Sequence, residues 1–129
     1  MGTPLSELAR RLFDDQTFVT VSTVNPDGSP QSSVLWVKRD GDDILFSTVR
    51  GRQKARNMER DPRVSVLAFD PTDPYRYVEA RGRVTMTDRG GRELIDELSV
   101  KYRGQPYPEE PPGTVRVVCR LTPERLVSR

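Results

Sequence analysis

The chain has 129 residues, of which 34% are hydrophobic and 31% are charged, with a formal net charge of +2; this fits one globular domain over residues 1–129 and leaves no room for a second. It contains no histidine and one cysteine, which excludes Ser-His-Asp and Cys-His catalysis, histidine-containing zinc sites and an intrachain disulfide. The longest apolar runs fall far short of the ~18 residues of a membrane span, and the first twelve residues lack a signal-peptide core, so we expect a cytoplasmic protein with no membrane partner.

The chain opens with the pattern of a short amphipathic helix. Thr3 followed by Pro4 is typical of a helix N-cap and first helical position. Apolar residues then recur at helical spacing, at Leu5, Leu8, Ala9 and Leu12. One face of this helix is therefore expected to be buried.

Alternating, β-branched segments then predict six strands. They cover residues 17–24, 31–39, 44–48, 64–69, 75–87 and 114–121. The first two are joined by Asn25-Pro26-Asp27-Gly28, whose proline and glycine suit a type I turn. In the fifth strand, apolar residues at 78, 80, 82, 84 and 86 share one face, which should point into the core. Cys119 in the sixth strand is expected to be a core side chain.

Two further helices are predicted between the strands. Gly51 breaks the third strand, and residues 52–60 then read as a helix that ends at Asp61-Pro62. Asp88 is a candidate cap for a helix that runs to about Lys101. Residues 104–113 contain four prolines and are expected to be irregular. Strands joined mostly by tight turns favour a small closed or nearly closed antiparallel barrel over a βαβ sheet.

The positive charge is concentrated in one segment, because residues 50–63 contain six basic and two acidic residues. Two hydroxyl residues, Ser47 and Thr48, end the preceding strand. Four cations follow at the start of a helix, at Arg50, Arg52, Lys54 and Arg56. Free N–H groups and the positive dipole end of a helix favour an anion, so this pattern predicts a phosphate site. A solvated helix face with i,i+4 ion pairs is the alternative that composition leaves open.

Other classes of ligand are less well matched. Neither the P-loop motif GxxxxGK[ST] nor the dinucleotide motif GxGxxG is present. The strands lack a series of aromatic residues interleaved with basic ones, the usual platform for RNA. We therefore expect no nucleic-acid partner, and a small RNA-binding barrel is only a distant alternative.

Four motifs, taken in chain order, resemble the split β-barrel flavoprotein superfamily, which includes pyridoxamine 5′-phosphate oxidase and short relatives that use the deazaflavin coenzyme F420. The motifs are Asn25-Pro26-Asp27-Gly28-Ser29-Pro30-Gln31, Ser33-Val34-Leu35-Trp36-Val37, the block from Ser47 to Val64, and the strand from Asp73 to Val84. Lys-x-x-Asn and Pro-Tyr-Arg-Tyr-Val-Glu look most like the actinobacterial F420-dependent branch. The resemblance implies a mainly β fold with short helical excursions, a six-stranded antiparallel split β-barrel of the FMN-binding, pyridoxamine phosphate oxidase-like type.

The same resemblance implies a set of cofactor-binding residues. The cofactor's phosphate would be held by Ser47, Thr48, Arg50, Arg52, Lys54 and Asn57. The edge and face of its tricyclic ring would be lined by Gln31, Ser33, Val34, Leu35 and Trp36. Family members are homodimers with two cofactor sites at the interface, so a site would be reached from the partner chain by Pro74, Tyr75, Tyr77 and Arg81.

Alternative readings stay open at three of these places. A residue such as Trp36 is more often a core residue than a ring-stacking one. Tyr77 and Arg81 fit an ordinary cross-strand surface pair. The proline-rich segment that contains Tyr107 fits either a lid over the substrate or simple packing.

A cofactor that itself transfers hydride suits a chain without histidine, because the protein then binds it, shields one ring face and presents the substrate to the other. We expect an oxidoreductase that uses reduced F420 to transfer a hydride to a small electron-poor or conjugated substrate. An FMN-dependent enzyme of the pyridoxamine-phosphate-oxidase type is one alternative, although the Arg-x-His pair that helps hold the vitamin phosphate there has no counterpart. A non-catalytic carrier of F420 or flavin is another. The sequence identifies no catalytic acid and no metal ligand.

Overall fold

The computed structural model describes residues 2–129, which form three helices and seven strands. The helices are α1 (Glu7–Asp14), α2 (Gln53–Arg60) and α3 (Gly91–Arg103). The strands are β1 (Val19–Val24), β2 (Pro30–Leu35), β3 (Lys38–Asp40), β4 (Asp43–Val49), β5 (Arg63–Asp70), β6 (Asp73–Thr87) and β7 (Arg116–Ser128).

All seven strands join one antiparallel sheet in the order β2-β1-β5-β6-β7-β4-β3. The two outermost strands of this order, β2 and β3, are consecutive in the chain and are separated only by Trp36 and Val37. The sheet must therefore curl until its two ends meet. Among the described residues β2 pairs with β1 but not with β4, so the barrel is split along this side.

The barrel interior is filled by the alternating apolar residues of the strands. Side chains with no solvent exposure include Val21, Val66, Val78, Val117 and Leu121. The apolar face predicted for β6 is confirmed, because residues 78, 80, 82 and 84 are buried, their neighbours are not, and Met86 packs against the core while partly buried. Helix α1 packs on the same core, and α3 covers the outer face of β4 and β7 through Leu94 and Leu98. No helix within residues 2–129 has the length and apolar character needed to cross a bilayer.

The prediction for Cys119 is confirmed, since its side chain is fully buried in the barrel. Burial raises the pKa of the Cys119 thiol to about 12. The group is therefore a protonated core side chain at neutral pH rather than a nucleophile.

The predicted number of six strands is wrong, because residues 31–39 form two strands rather than one. Val37 is buried at the bend, and neither of its backbone polar groups pairs with a neighbouring strand. Its N–H donates to the Tyr102 hydroxyl at 3.2 Å, and its carbonyl accepts from Lys101 Nζ at 2.7 Å. Two side chains of α3 thus replace the strand ladder, which lets the chain turn here and end β2 at Leu35.

The starts of two helices also differ from the prediction. The N-cap of α1 is Ser6, whose hydroxyl accepts from the Ala9 N–H at 3.1 Å. Thr3 instead donates its hydroxyl to the Glu124 carbonyl at 2.8 Å, so it lies beside β7 and does not cap α1. Helix α3 begins at Gly91 rather than after Asp88, with Gly90 at a φ of 80° as its N-cap.

The fifth and sixth predicted strands are longer than expected, as β6 starts at Asp73 and β7 continues to Ser128. The sequence Thr122-Pro123-Glu124 interrupts the alternating pattern, but the structure absorbs it in an irregular register opposite Arg81 and Gly82. A Cβ on Gly82 would lie 2.1 Å from the Thr122 carbonyl oxygen. The absence of a side chain at this position is what allows the two strands to stay paired past the proline.

Lys101 connects three elements of the fold. Its ammonium group donates to the carbonyls of Phe13 and Val37, both at 2.7 Å. The next residue, Tyr102, donates its hydroxyl to the Thr17 carbonyl at 2.7 Å. Burial lowers the pKa of Lys101 to about 8. Helix α3 therefore holds the end of α1 and the bend at residue 37 through one half-buried cation.

Replacing this cation should destabilise the protein. Lys101→Met is expected to lower the free energy of unfolding by about 1–3 kcal/mol at neutral pH, because two carbonyls of buried residues lose their donor. Lys38→Met is the control, since Lys38 makes a partly exposed ion pair with Glu97, and such pairs contribute about 0–1 kcal/mol. Urea unfolding of the two variants and the parent measures both values.

The effect of Lys101 should also depend on pH. Its pKa is about 8 in the folded chain against 10.5 for a free lysine, so the unfolded state binds more protons between these two values. Stability must then rise with pH across this window. The gap in unfolding free energy between the parent and Lys101→Met is expected to widen as the pH increases through it. A constant gap would show that the pKa of Lys101 is the same in the folded and unfolded chains, and a narrowing gap would show that folding raises it.

Candidate functional site

A cavity of about 310 Å³ lies on the split side of the barrel, within the size range of ligand pockets, roughly 300–1,000 Å³. It is lined by Phe18, Val34, Leu35, Trp36, Ser47, Arg52, Lys54, Ile95, Leu98, Tyr107 and Arg116. These residues come from both sides of the split and from two helices, α2 and α3. Apolar and aromatic side chains form one part of the wall, and three cations form the other.

The aromatic part of the wall is built on Trp36. Its ring stacks on Tyr102 with centroids 5.5 Å apart, and the edge of Tyr107 approaches it at 6.3 Å. Trp36 also packs with the small cluster of Leu94 and Leu98 under α3, so it is a packing residue and a cavity residue at once. At the rim of the cavity, Phe18 is 60% exposed and Val34 is 66% exposed. The apolar wall therefore extends onto the protein surface.

The cationic part of the wall lies at the start of α2. Arg52 is the N-cap residue, and in the part of the chain that the structure describes it makes no side-chain capping bond. The first N–H groups of a helix have no partner inside the helix and attract anions. Lys54 Nζ donates to Ser33 Oγ at 3.1 Å, across the split from α2 to β2. Burial lowers the pKa of Lys54, and the positive charges of Arg52 and Arg116 lower it further.

The other cations of this segment are engaged elsewhere. Arg50 pairs with Glu59 at 2.7 Å. Arg56 donates to the Gly51 backbone carbonyl and to the side-chain oxygen Oε1 of Gln53, the latter at 2.6 Å. Arg60 donates to the Val24 carbonyl. Of the six basic residues between positions 50 and 63, the structure brings Arg52 and Lys54 to the cavity.

The two predicted hydroxyl residues point in opposite directions, because neighbouring residues of a strand alternate between its faces. Ser47 lies on the outer face of β4 and lines the cavity. Thr48 lies on the inner face and is fully buried, and its hydroxyl oxygen has no hydrogen-bond partner within residues 2–129. The structure therefore places only Ser47 where it can contact a ligand in this cavity.

Asn57 lies in a buried polar network rather than on the cavity wall. Its amide nitrogen donates to Thr23 Oγ1 at 3.0 Å and to Asn25 Oδ1 at 2.9 Å. Its oxygen accepts from Gln53 Nε2 at 2.8 Å. Thr23 in turn donates to the Gln31 side chain at 3.1 Å. This network fixes α2 against the β1–β2 hairpin and so sets the position of both sides of the split.

The predicted residues of β6 lie outside this cavity. Tyr75 is 72% exposed, and the Arg129 guanidinium lies over its ring at 5.6 Å. Arg81 is exposed and pairs with Glu79 at 2.9 Å. Pro74 is also exposed and Tyr77 is half-buried. Within one chain these four residues do not contribute to the cavity.

Sequence reasoning missed Phe18, Ile95, Leu98 and Arg116 as cavity residues and left Tyr107 open. Ile95 and Leu98 were recognisable only as the apolar stripe of a helix. Arg116 is 8% exposed, and an arginine at the start of a strand carries no sequence signal for such burial. The cavity also borders a larger, open hollow of about 840 Å³ beyond Tyr107 and Arg116, whose lining combines charged residues such as Glu110 with the apolar side chains of Pro111, Pro112 and Val115.

Residues 5–128 match the family model described as pyridoxamine 5′-phosphate oxidase. The pyridoxine/pyridoxamine 5′-phosphate oxidase of Aeromonas hydrophila is 36% identical over 81 residues, which are 62% of this chain and 38% of that protein. The enzyme of the same name from Escherichia fergusonii is 32% identical over 100 residues, 76% of this chain and 42% of that protein. The chain thus spans about two fifths of the length of these relatives (38% and 42%).

Solved structures show the same fold over the whole chain. A protein named F420 reductase superposes with a TM-score of 0.86 and 30% identity, covering 97% of this chain and 100% of that one. A conserved hypothetical protein of Mycobacterium tuberculosis superposes with a TM-score of 0.76 and 26% identity, covering 95% of this chain and 82% of that one.

Removing the centre of the buried polar network should destabilise the protein. Asn57→Ala is expected to lower the free energy of unfolding by about 1–3 kcal/mol, because Thr23 Oγ1 and Asn25 Oδ1 lose the donor, and Gln53 Nε2 loses the acceptor, that Asn57 supplies. Gln53→Ala removes one bond of the same network from an exposed position and should cost less than half as much. Chemical denaturation of both variants compares them, and equal losses would mean that Asn57 does not hold the hairpin.

Proposed function

Because the chain belongs to the pyridoxamine 5′-phosphate oxidase family, we propose that it is an oxidoreductase that binds the deazaflavin coenzyme F420. In this proposal it transfers a hydride from the reduced cofactor to a small electron-poor or conjugated substrate. The observation that carries this proposal is the composition of the cavity, where an apolar, aromatic wall meets a cationic end at a helix N-terminus. Such a wall suits a flat ring system, and such an end suits its phosphate.

The choice of F420 is supported by the likeness to the protein named F420 reductase, which extends over 97% of this chain at 30% identity. F420 carries a phosphodiester and an anionic glutamate tail, and the cations Arg52 and Lys54 at the cavity suit the phosphodiester. An FMN-dependent oxidase is the second candidate, because the curated sequence relatives are pyridoxine/pyridoxamine 5′-phosphate oxidases. The phosphate monoester of FMN would use the same cationic end.

The bound cofactor supplies the ring that gives or takes the hydride, and the chain supplies everything around it. Arg52, Lys54 and Ser47 would hold the phosphate by charge-assisted and neutral hydrogen bonds. Val34, Leu35 and Trp36 would shield one part of the ring. Leu98 and Tyr107, which also line the cavity, would exclude water from it.

The active form in this proposal is a homodimer with two shared sites. Phe18 and Val34 leave the rim of the cavity exposed at 60% and 66%, and a partner chain would cover such apolar area. Tyr75, at 72% exposed, lies with Tyr77 and Arg81 outside the cavity of its own chain. These three residues, together with Pro74, would complete the site of the partner.

The cofactor preference can be measured directly. Purified protein is titrated separately with F420 and with FMN while the cofactor fluorescence is followed. The proposal expects tight binding of F420 and weak binding of FMN, and the reverse order would favour the oxidase alternative. Equally weak binding of F420 and FMN would contradict both cofactor assignments. Substrate candidates added to the reduced complex then separate an enzyme from a carrier.

Lys54→Ala should weaken F420 binding by roughly 1.5–3 kcal/mol, about one to two powers of ten, because a charge-assisted hydrogen bond is lost. Arg56→Ala is the matched control. Two positions along a helix turn a side chain by about 200°, so Arg56 lies on the opposite, exposed side of α2. Binding to the parent should also weaken with added salt. If both variants bind like the parent, the cluster is a solvated helix face.

The dimer is tested by light scattering over a dilution series. A shared site requires a fixed orientation of the two chains, so we expect an interface above ~2,000 Å² that survives at micromolar concentration. A monomer in the presence of cofactor would remove the proposed roles of Tyr75, Tyr77 and Arg81, while the cavity of the single chain would still stand.

A further inference from the structure

The positive charge of the buried Arg116 side chain is neutralised by a carboxylate on the side away from the cavity. It is the first residue of β7 and is 8% exposed. Its Nε and Nη2 lie 2.8 and 2.7 Å from the same carboxylate oxygen of Glu110. On its other side, Nη1 lies 3.4 Å from Ser47 Oγ at the cavity wall. The guanidinium thus stands between the cavity and an internal carboxylate.

The segment that supplies Glu110 is fixed over the outer face of the barrel. The Tyr107 ring lies under the Arg116 guanidinium at 4.9 Å. Arg92 of α3 reaches Glu110 Oε2 at 3.4 Å and the Tyr107 carbonyl at 2.6 Å. A Cβ on Gly91 would lie 2.0 Å from the Arg116 carbonyl oxygen, so the start of α3 rests directly on the backbone of Arg116. Glu110 is therefore held in place rather than swinging freely in solvent.

The three cations of the cavity are not equivalent. Over residues 2–129, neither Arg52 nor Lys54 forms a salt bridge, whereas Arg116 has Glu110. A ligand in the cavity therefore meets two uncompensated positive charges and one that is already neutralised. An ion pair that is shielded from water keeps most of its attraction, so the cancellation is effective at this distance.

We propose that Glu110 is a specificity-determining residue of this site, which neutralises Arg116 and thereby limits the negative charge that the site accepts. The inference rests on the proposed function only in that an anionic group of the ligand occupies the cationic end. The class of ligand that it disfavours is the compact polyanion, because such an ion needs a third free cation. Ligands that bring one phosphate to Arg52 and Lys54 are the ones it favours.

The test uses inorganic pyrophosphate and inorganic phosphate as probes, measured by calorimetric titration of the full chain. Glu110→Gln keeps the size of the side chain and an acceptor oxygen but removes its charge. It should tighten pyrophosphate binding by about tenfold to a hundredfold, the effect of one additional charge-assisted contact. Phosphate binding should tighten less, because its fewer charges are already met by Arg52 and Lys54.

Two variants serve as controls. Glu109→Gln makes the same charge change at the neighbouring exposed glutamate and should leave the binding of both probes within about threefold of the parent, because exposed charges are screened. The double variant Glu110→Gln with Arg116→Gln removes both charges of the pair. It should return pyrophosphate affinity to that of the parent, because the number of uncompensated cations is again two.

A folded Glu110→Gln variant with unchanged or weaker pyrophosphate binding would overturn the inference. The role of Glu110 would then be only to hold the segment that contains it against the barrel. Circular dichroism and thermal melting establish the fold of each variant. If the single variant does not fold, the double variant decides: parent-like pyrophosphate affinity supports the inference, and a loss of more than about tenfold shows that Arg116 binds anions in spite of Glu110. Because neither probe contains a ring, failure of the F420 titration would overturn the proposed function and leave this result intact.

Discussion

The hydrogen bonds between Val37 and two side chains of α3 decide the shape of this protein. Tyr102 accepts the Val37 N–H, and Lys101 donates to its carbonyl. A buried backbone group must find a partner, and here the partners lie on a helix instead of on a neighbouring strand. The strand therefore bends, its second half leaves to pair with β4, and the barrel stays open between β2 and β4. The cavity exists because of this opening.

The same opening explains why polar and apolar chemistry meet at one place. The edge of β2 brings Val34 and Leu35 to the cavity, and α2 crosses the gap with Lys54 bonded to Ser33. The buried network of Asn57 keeps the two sides at a fixed distance. A flat ring with an anionic tail is the kind of ligand that such a cleft accommodates, with the ring against the strand edge and the anion at the helix start. Family membership and this geometry both support the cofactor class that we propose.

The electrostatics of the site depend on which charges are already paired. Six basic residues occupy positions 50–63, yet most of them are tied to carboxylates, amides or carbonyls of the chain. Arg50 illustrates this, because its pairing with Glu59 removes it from the cavity although it is close in sequence. Arg116 illustrates the opposite case, since a residue far away in the chain joins the site and brings its own counter-ion, Glu110. The charge that a ligand meets is thus a property of the folded network.

By itself the sequence determined the class of fold, most of the strands, the barrel face of β6, the core position of Cys119 and the segment that carries the cationic end, because these follow from local periodicity, turn residues and charge clustering. It predicted six of the eleven residues that line the cavity. Only the tertiary structure decided that residues 31–39 form two strands, since the partners of Val37 lie more than sixty residues away. Only it decided that Ser47 and not Thr48 faces the cavity, that Asn57 is internal, and that Arg116 and Tyr107 complete the wall. Each of these outcomes depends on contacts between distant segments, which no local pattern encodes.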